Sequence, residues 1–131
     1  MTPADFIAAA RSYVGVPFRH QGRTRHGVDC IGLVVCAARD IGITLADRTD
    51  YARDPNGLLP LEMARQFAPV ESPQAGDILL MRFRGEPQHV AILAGETLIH
   101  SYASIGRVVE HGLDAKWRRR IVAAYRLKEF A

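Results

Sequence analysis

HGVDCIGLVV, residues 26–35, is the stretch on which the reading of this chain turns. An aspartate able to cap a helix is followed at once by a cysteine and then by an apolar run. From Cys30 to Ile41 the apolar residues Ile31, Leu33, Val34, Val35, Ala37, Ala38 and Ile41 cover most of a helical circumference. That pattern predicts a central helix buried on nearly every side, capped by Asp29 and ended by Gly42. Cys30 then falls in the first turn, where unpaired amides and the helix dipole favour a thiolate and a nearby imidazolium would lower the thiol pKa further, while the charge of Asp29 opposes both. Cys36 lies six residues on. Roughly 9 Å of helical rise separates the two sulfurs, beyond disulfide reach, so both thiols are expected to be free and Cys36 to be a small core residue.

Upstream, Thr2-Pro3-Ala4-Asp5 reads as a helix start, with the helix running to about Val14 and stopped by Gly15-Val16-Pro17. Residues 18–28, FRHQGRTRHGV, form a polar loop of the kind that lines a site. Downstream, residues 43–56 read as loop and 57–68 as a short third helix. After the turn cluster at 73–77 the pattern changes to strands: 78–83, 89–94, 97–102, 107–111 and 121–127. Helices first and strands second predict an α+β fold, with N-terminal helices packed on a central antiparallel sheet of about five strands.

The two residues Gly95-Glu96 suit a tight hairpin. In that register Leu93 faces Leu98, Ala91 faces His100 and His89 faces Tyr102, so His89 and His100 share one face on a diagonal of about 7–8 Å. A cysteine at a helix start, a histidine to activate it and a second polar group to fix that ring make the nucleophile, base and orienter of a thiol hydrolase. Cys30, His89 and His100 are the candidates. His20 and His26 read as loop residues, His111 as surface, and Arg118 to Arg120 as a solvated lead-in to the last strand.

With 131 residues, 48% hydrophobic and 24% charged, the chain has the size and composition of a single domain, residues 1–131. The net charge is +3 and the basic residues are nearly all arginine, but no helix carries a basic stripe interleaved with aromatics. Nucleic acid is therefore not expected as a partner. No apolar run is long enough to cross a bilayer, and the amino terminus lacks the basic lead and apolar core of a signal peptide. Neither membrane insertion nor Sec export is expected. A zinc site built from Cys30, His89 and His100 has suitable residue types but no CxxC or HExxH spacing, and no metal is expected.

GVDCIGLV, QHVAILAG and LIHSYA resemble the three signature blocks of the NlpC family of papain-like cysteine peptidases. PFRHQGR before the cysteine block and GRVVEHGLDAKWRRRIVAAYRL at the end resemble the phage-tail-associated branch. The resemblance implies a minimal papain-like fold without a cofactor, with Cys30 as nucleophile, His89 as general base and His100 as orienting residue. It implies a peptidoglycan (murein) stem peptide as substrate, cut between D-glutamate and a diamino acid. It also implies phage tail proteins as partners, in a protein made in the bacterial cytoplasm and carried to the cell wall in a virion tail. Asp29, Phe18, His20 and Ile31 would contact substrate: Asp29 as cap or as a ligand for a free amino group, Phe18 and Ile31 where the family often has tyrosine and serine, and His20 where it often has tryptophan. Two other activities fit the same residues: a catalytically inactive structural component of tail assembly, and a papain-like acyltransferase or amidase.

Overall fold

The computed structural model describes residues 1–47, 58–85 and 87–131. The expected loop therefore lies outside the described residues from position 48 on, as does Gly57 at the head of the expected third helix. Helix α1 spans Pro3–Arg11. Thr2 caps it reciprocally: Asp5 N–H donates to Thr2 Oγ1 at 3.2 Å and Thr2 N–H to Asp5 Oδ2 at 2.9 Å. It ends before Val14, because residues 12–15 pass through tight turns until the Gly15 N–H reaches the Val108 carbonyl. The stretch read as a polar loop contains a small antiparallel hairpin, β1 (Arg23–Thr24) with β2 (Gly27–Val28).

Helix α2 spans Cys30–Asp40 and buries Gly32, Leu33, Val34, Cys36, Ala37 and Ala38. Helix α3 covers Leu58–Gln66. Strands β3 (Ala68–Val70), β4 (Ile78–Met81), β5 (His89–Leu93), β6 (Thr97–Tyr102) and β7 (Arg107–Gly112) follow. A single turn of helix, α4 (Ala115–Arg118), leads to β8 (Ile121–Arg126), and a 3-10 turn closes the chain. Every strand pairing is antiparallel, in the order β3-β8-β4-β5-β6-β7.

The fold is α+β as expected, but the sheet has six strands rather than five. The additional strand, β3, begins where the third helix was expected to continue. Pro69 explains its place: a residue without an N–H is tolerated on an edge, and among the described residues β3 pairs with β8 alone.

Side-chain alternation gives the sheet two different faces. Ile78, Leu80, Val90, Ile92, Ile99 and Val108 join Phe6, Leu33 and Ala37 in the main core beneath α1 and α2. Leu79, Met81, Ala91, Leu93, Leu98 and Ala124 form a second cluster on the opposite face, closed by Trp117 and Ile121. The loop before α2 lies flush on that helix. A Cβ at Gly32 would collide with the Gly22 carbonyl, so only glycine allows this approach.

Candidate active site

Asp29 and the first turn of α2 present Cys30. The Asp29 carboxylate accepts from Gly32 N–H at 2.8 Å, from Gln21 N–H at 2.8 Å and from Arg23 Nη1 at 3.0 Å. It thus caps the helix and ties the preceding loop to it. Gln21 meets that carboxylate with a left-handed backbone, φ 62°. Cys30 is half-buried, with its sulfur in reach of backbone groups of Val90 and Ile31 that favour the thiolate. The sequence suggests a lowered thiol pKa. Instead, loss of solvent, followed by the charge of Asp29, pushes Cys30 up to about 12, outweighing those backbone contacts and Arg23. Cys36 is a buried free thiol in the core, as expected.

Val90, whose backbone meets the Cys30 sulfur, follows His89 at the start of β5. The hairpin register agrees with expectation at Leu93 opposite Leu98. His89 and His100 do share a face, and their rings are hydrogen-bonded, Nε2 to Nδ1, at 2.7 Å. Burial, then the charges of His100 and Arg120, hold His89 well below its ordinary pKa. Burial, then His111, lowers His100 to about 4. Both rings are neutral near pH 7, and so is the thiol.

His111 is not the surface residue its sequence context suggested. It is half-buried, its Nε2 lies 2.8 Å from His100 Nε2, and its Nδ1 lies 2.9 Å from the Gly112 carbonyl. Residues 103–106 close β6 onto β7 with Tyr102 opposite Arg107, so Leu98 faces His111 and all three histidines lie on one face. Arg120 also departs from expectation. Its guanidinium stands 4.7 Å from the Phe83 ring centre and 4.6 Å from that of Trp117, in aromatic surroundings that also hold His89 and Tyr102. Arg118 and Arg119 are exposed.

Phe18 is half-buried and donates its N–H to the Gly106 carbonyl at 2.9 Å, joining the loop before α2 to the β6–β7 turn. His20 is half-buried in that loop, and Ile31 packs beside Cys30 against the main core. Among the described residues, no three His, Cys, Asp or Glu side chains are grouped to hold a metal ion. The imidazoles instead bond to one another. No helix among the described residues is long and apolar enough to cross a membrane.

A cysteine-headed helix packed on an antiparallel sheet of this order defines the minimal papain-like α+β class. The NlpC/P60 family model matches residues 15–126, and the chain belongs to that family. Among solved structures, it is similar to an NlpC/P60 family protein from Bacillus cereus, at 22% identity and TM-score 0.77, over 97% of this chain but 40% of that one. It is similar to the NlpC/p60 domain of the peptidoglycan hydrolase SagA at 25% identity and TM-score 0.69, over 97% of this chain and the whole of that domain. It is also similar to the peptidoglycan hydrolase RipB from Mycobacterium tuberculosis, at 20% identity and TM-score 0.69, over 95% of this chain and 63% of that one.

Proposed function

We propose that the chain is a cysteine peptidase that hydrolyses the stem peptides of peptidoglycan, with Cys30 as nucleophile, His89 as general base and His100 as orienting residue. The observation that carries this reading is the 2.7 Å bond between His89 Nε2 and His100 Nδ1, on a strand whose next residue, Val90, abuts the Cys30 sulfur. Family membership, and the similarity to domains of two peptidoglycan hydrolases, supply the substrate.

The resting pair is a neutral thiol and a neutral imidazole. His89 Nε2 is committed to His100, which leaves Nδ1 to take the thiol proton as the sulfur attacks the scissile carbonyl. The resulting imidazolium gives that proton to the departing amine, and water then releases the acyl group from Cys30. The Cys30 N–H at the head of α2 is a natural donor to the oxyanion; loss of one such donor typically costs about 2.7–4 kcal/mol. The bond cut is the one between D-glutamate and the diamino acid, and the enzyme acts as part of a phage tail. Asp29, whose carboxylate accepts from Gln21, Arg23 and Gly32, positions α2 and the loop carrying Phe18 and His20 along the cleft.

Incubation with defined stem peptides, followed by mass spectrometry, tests activity and names the bond. Cleavage by the intact chain, absent in Cys30→Ala, is expected. Undiminished cleavage by Cys30→Ala overturns the assignment. The raised Cys30 pKa favours a second reading, a catalytically silent component of tail assembly. Absence of cleavage of every stem peptide by the folded, intact chain would favour that alternative over the enzyme.

A further inference from the structure

We propose that His111 fixes the tautomers of all three imidazoles and is thereby a positioning residue for the reaction; its catalytic part rests on the roles given above to Cys30 and His89. The chain of reasoning starts at a backbone carbonyl. His111 Nδ1 lies 2.9 Å from the Gly112 oxygen, which can only accept, so Nδ1 carries the proton. In the imidazole tautomer so fixed, Nε2 is bare. That atom lies 2.8 Å from His100 Nε2 and accepts from it, so the His100 proton is on Nε2. His100 Nδ1 is bare and accepts from His89 Nε2 at 2.7 Å. His89 is left with an unprotonated Nδ1, the form needed to receive a thiol proton.

The opposite order of protons satisfies both inter-ring bonds equally well. It places hydrogen on His89 Nδ1, which then cannot serve as the base. Among the hydrogen bonds of the described residues, the Gly112 carbonyl, through His111, distinguishes the two orders. The correct order also aims a lone pair of His100 at His89 Nε2–H, a bond that strengthens once His89 becomes an imidazolium.

His100 is fully buried and His89 nearly so, which magnifies any difference between the two orders. His111 stands at the wetter end, where a cavity of about 430 Å³ is lined by His100, Tyr102, Arg107, His111 and Trp117. Trp117 holds the His111 and His100 rings in place, with centroids 4.9 and 5.0 Å from its own.

The test uses the full chain with nitrogen-15-labelled histidines. NMR is expected to find His89 and His100 protonated at Nε2 and His111 at Nδ1. In His111→Leu, His89 and His100 are expected to show mixed tautomers, with kcat on stem peptide down about tenfold to a hundredfold at unchanged KM, less than the ~10⁴-fold that loss of a direct orienter can cost. His111→Gln, whose amide oxygen can accept from His100, is expected to restore the nitrogen pattern and most of kcat. The wild-type pattern and wild-type kcat in folded His111→Leu would overturn the proposal, as would the reversed order in the intact chain. The expected pattern in a chain with no turnover would uphold the anchor while overturning the catalytic reading.

Discussion

Beneath α1 and α2 the sheet presents Ile78, Leu80, Val90, Ile92 and Ile99; on its other side the same strands, with β7, present His89, His100 and His111 between Leu98 and a roof of Phe83 and Trp117. The first face is held by apolar area, roughly 1.5–3 kcal/mol for each large side chain buried. The second buries His89 and His100, which stay neutral because protonating them without solvent is costly, and which are bearable there because their facing ring nitrogens are hydrogen-bonded. The larger apolar core therefore lies on the helical face, and the proton chemistry of the buried imidazoles on the other.

The largest expected effect separates these roles. His89→Ala should lower stem-peptide hydrolysis at least about 10⁴-fold, with only a modest loss of melting temperature from the cavity and from His100 Nδ1 left without its partner. A large loss of melting temperature would assign His89 to the framework instead. Phe6→Ala is the converse experiment. Phe6 is fully buried in the main core, with its ring centre 6.4 Å from that of Phe130, and its truncation should cost about 3–5 kcal/mol in denaturant titrations. The fraction that stays folded should keep the wild-type kcat.

The acid sensitivity of the imidazole face can be read in a pH titration of stability. His100 falls from an ordinary 6.5 to about 4, so the folded state binds its proton less readily than the unfolded chain. Its contribution is constant above about pH 6.5 and is progressively lost as the pH falls to about 4, by up to about 3 kcal/mol. His100→Gln, which cannot titrate, should make the fall in that window shallower, with His89 still contributing. An equally steep fall in the variant would show that His100 is not held neutral.

Legibility in the sequence followed the length over which a pattern repeats. Helix α2 announced itself through seven apolar positions, and the His89–His100 pair through a two-residue turn that fixes parity across β5 and β6. Strand β3 and the β1–β2 hairpin are too short to alternate, and Pro69 argues against a strand unless its edge position is known. His111 was within reach: closing the turn on Tyr102 and Arg107 places it on the face of His100, but this needs the loop length, which Ile105-Gly106 only suggests. The raised Cys30 pKa was half legible: the opposing charge of Asp29 stands beside it in the sequence, but the loss of solvent that dominates depends on burial in the fold.

The smallest expected effect lies at the sheet's far edge on the helical side. Glu110 alternates with His111 on β7 and meets α1: Arg11 Nε and Nη2 reach its two carboxylate oxygens at 2.8 Å each, and Thr97 Oγ1 donates at 2.7 Å. The Arg11 bond, with Thr97 assisting against partial burial, lowers Glu110 from 4.5 to about 2. A depressed carboxylate stabilises the fold above its unfolded pKa and loses that contribution as the pH falls through its folded one. The stability gap between wild type and Glu110→Gln should therefore be constant above about pH 4.5, close by about pH 2, and narrow with added salt, as expected of an exposed pair. Because the His100 slope lies between pH 6.5 and 4, the two faces should report in adjacent windows of one titration. A gap that persists unchanged at pH 2 would mean that Glu110 acts through packing and not through its charge.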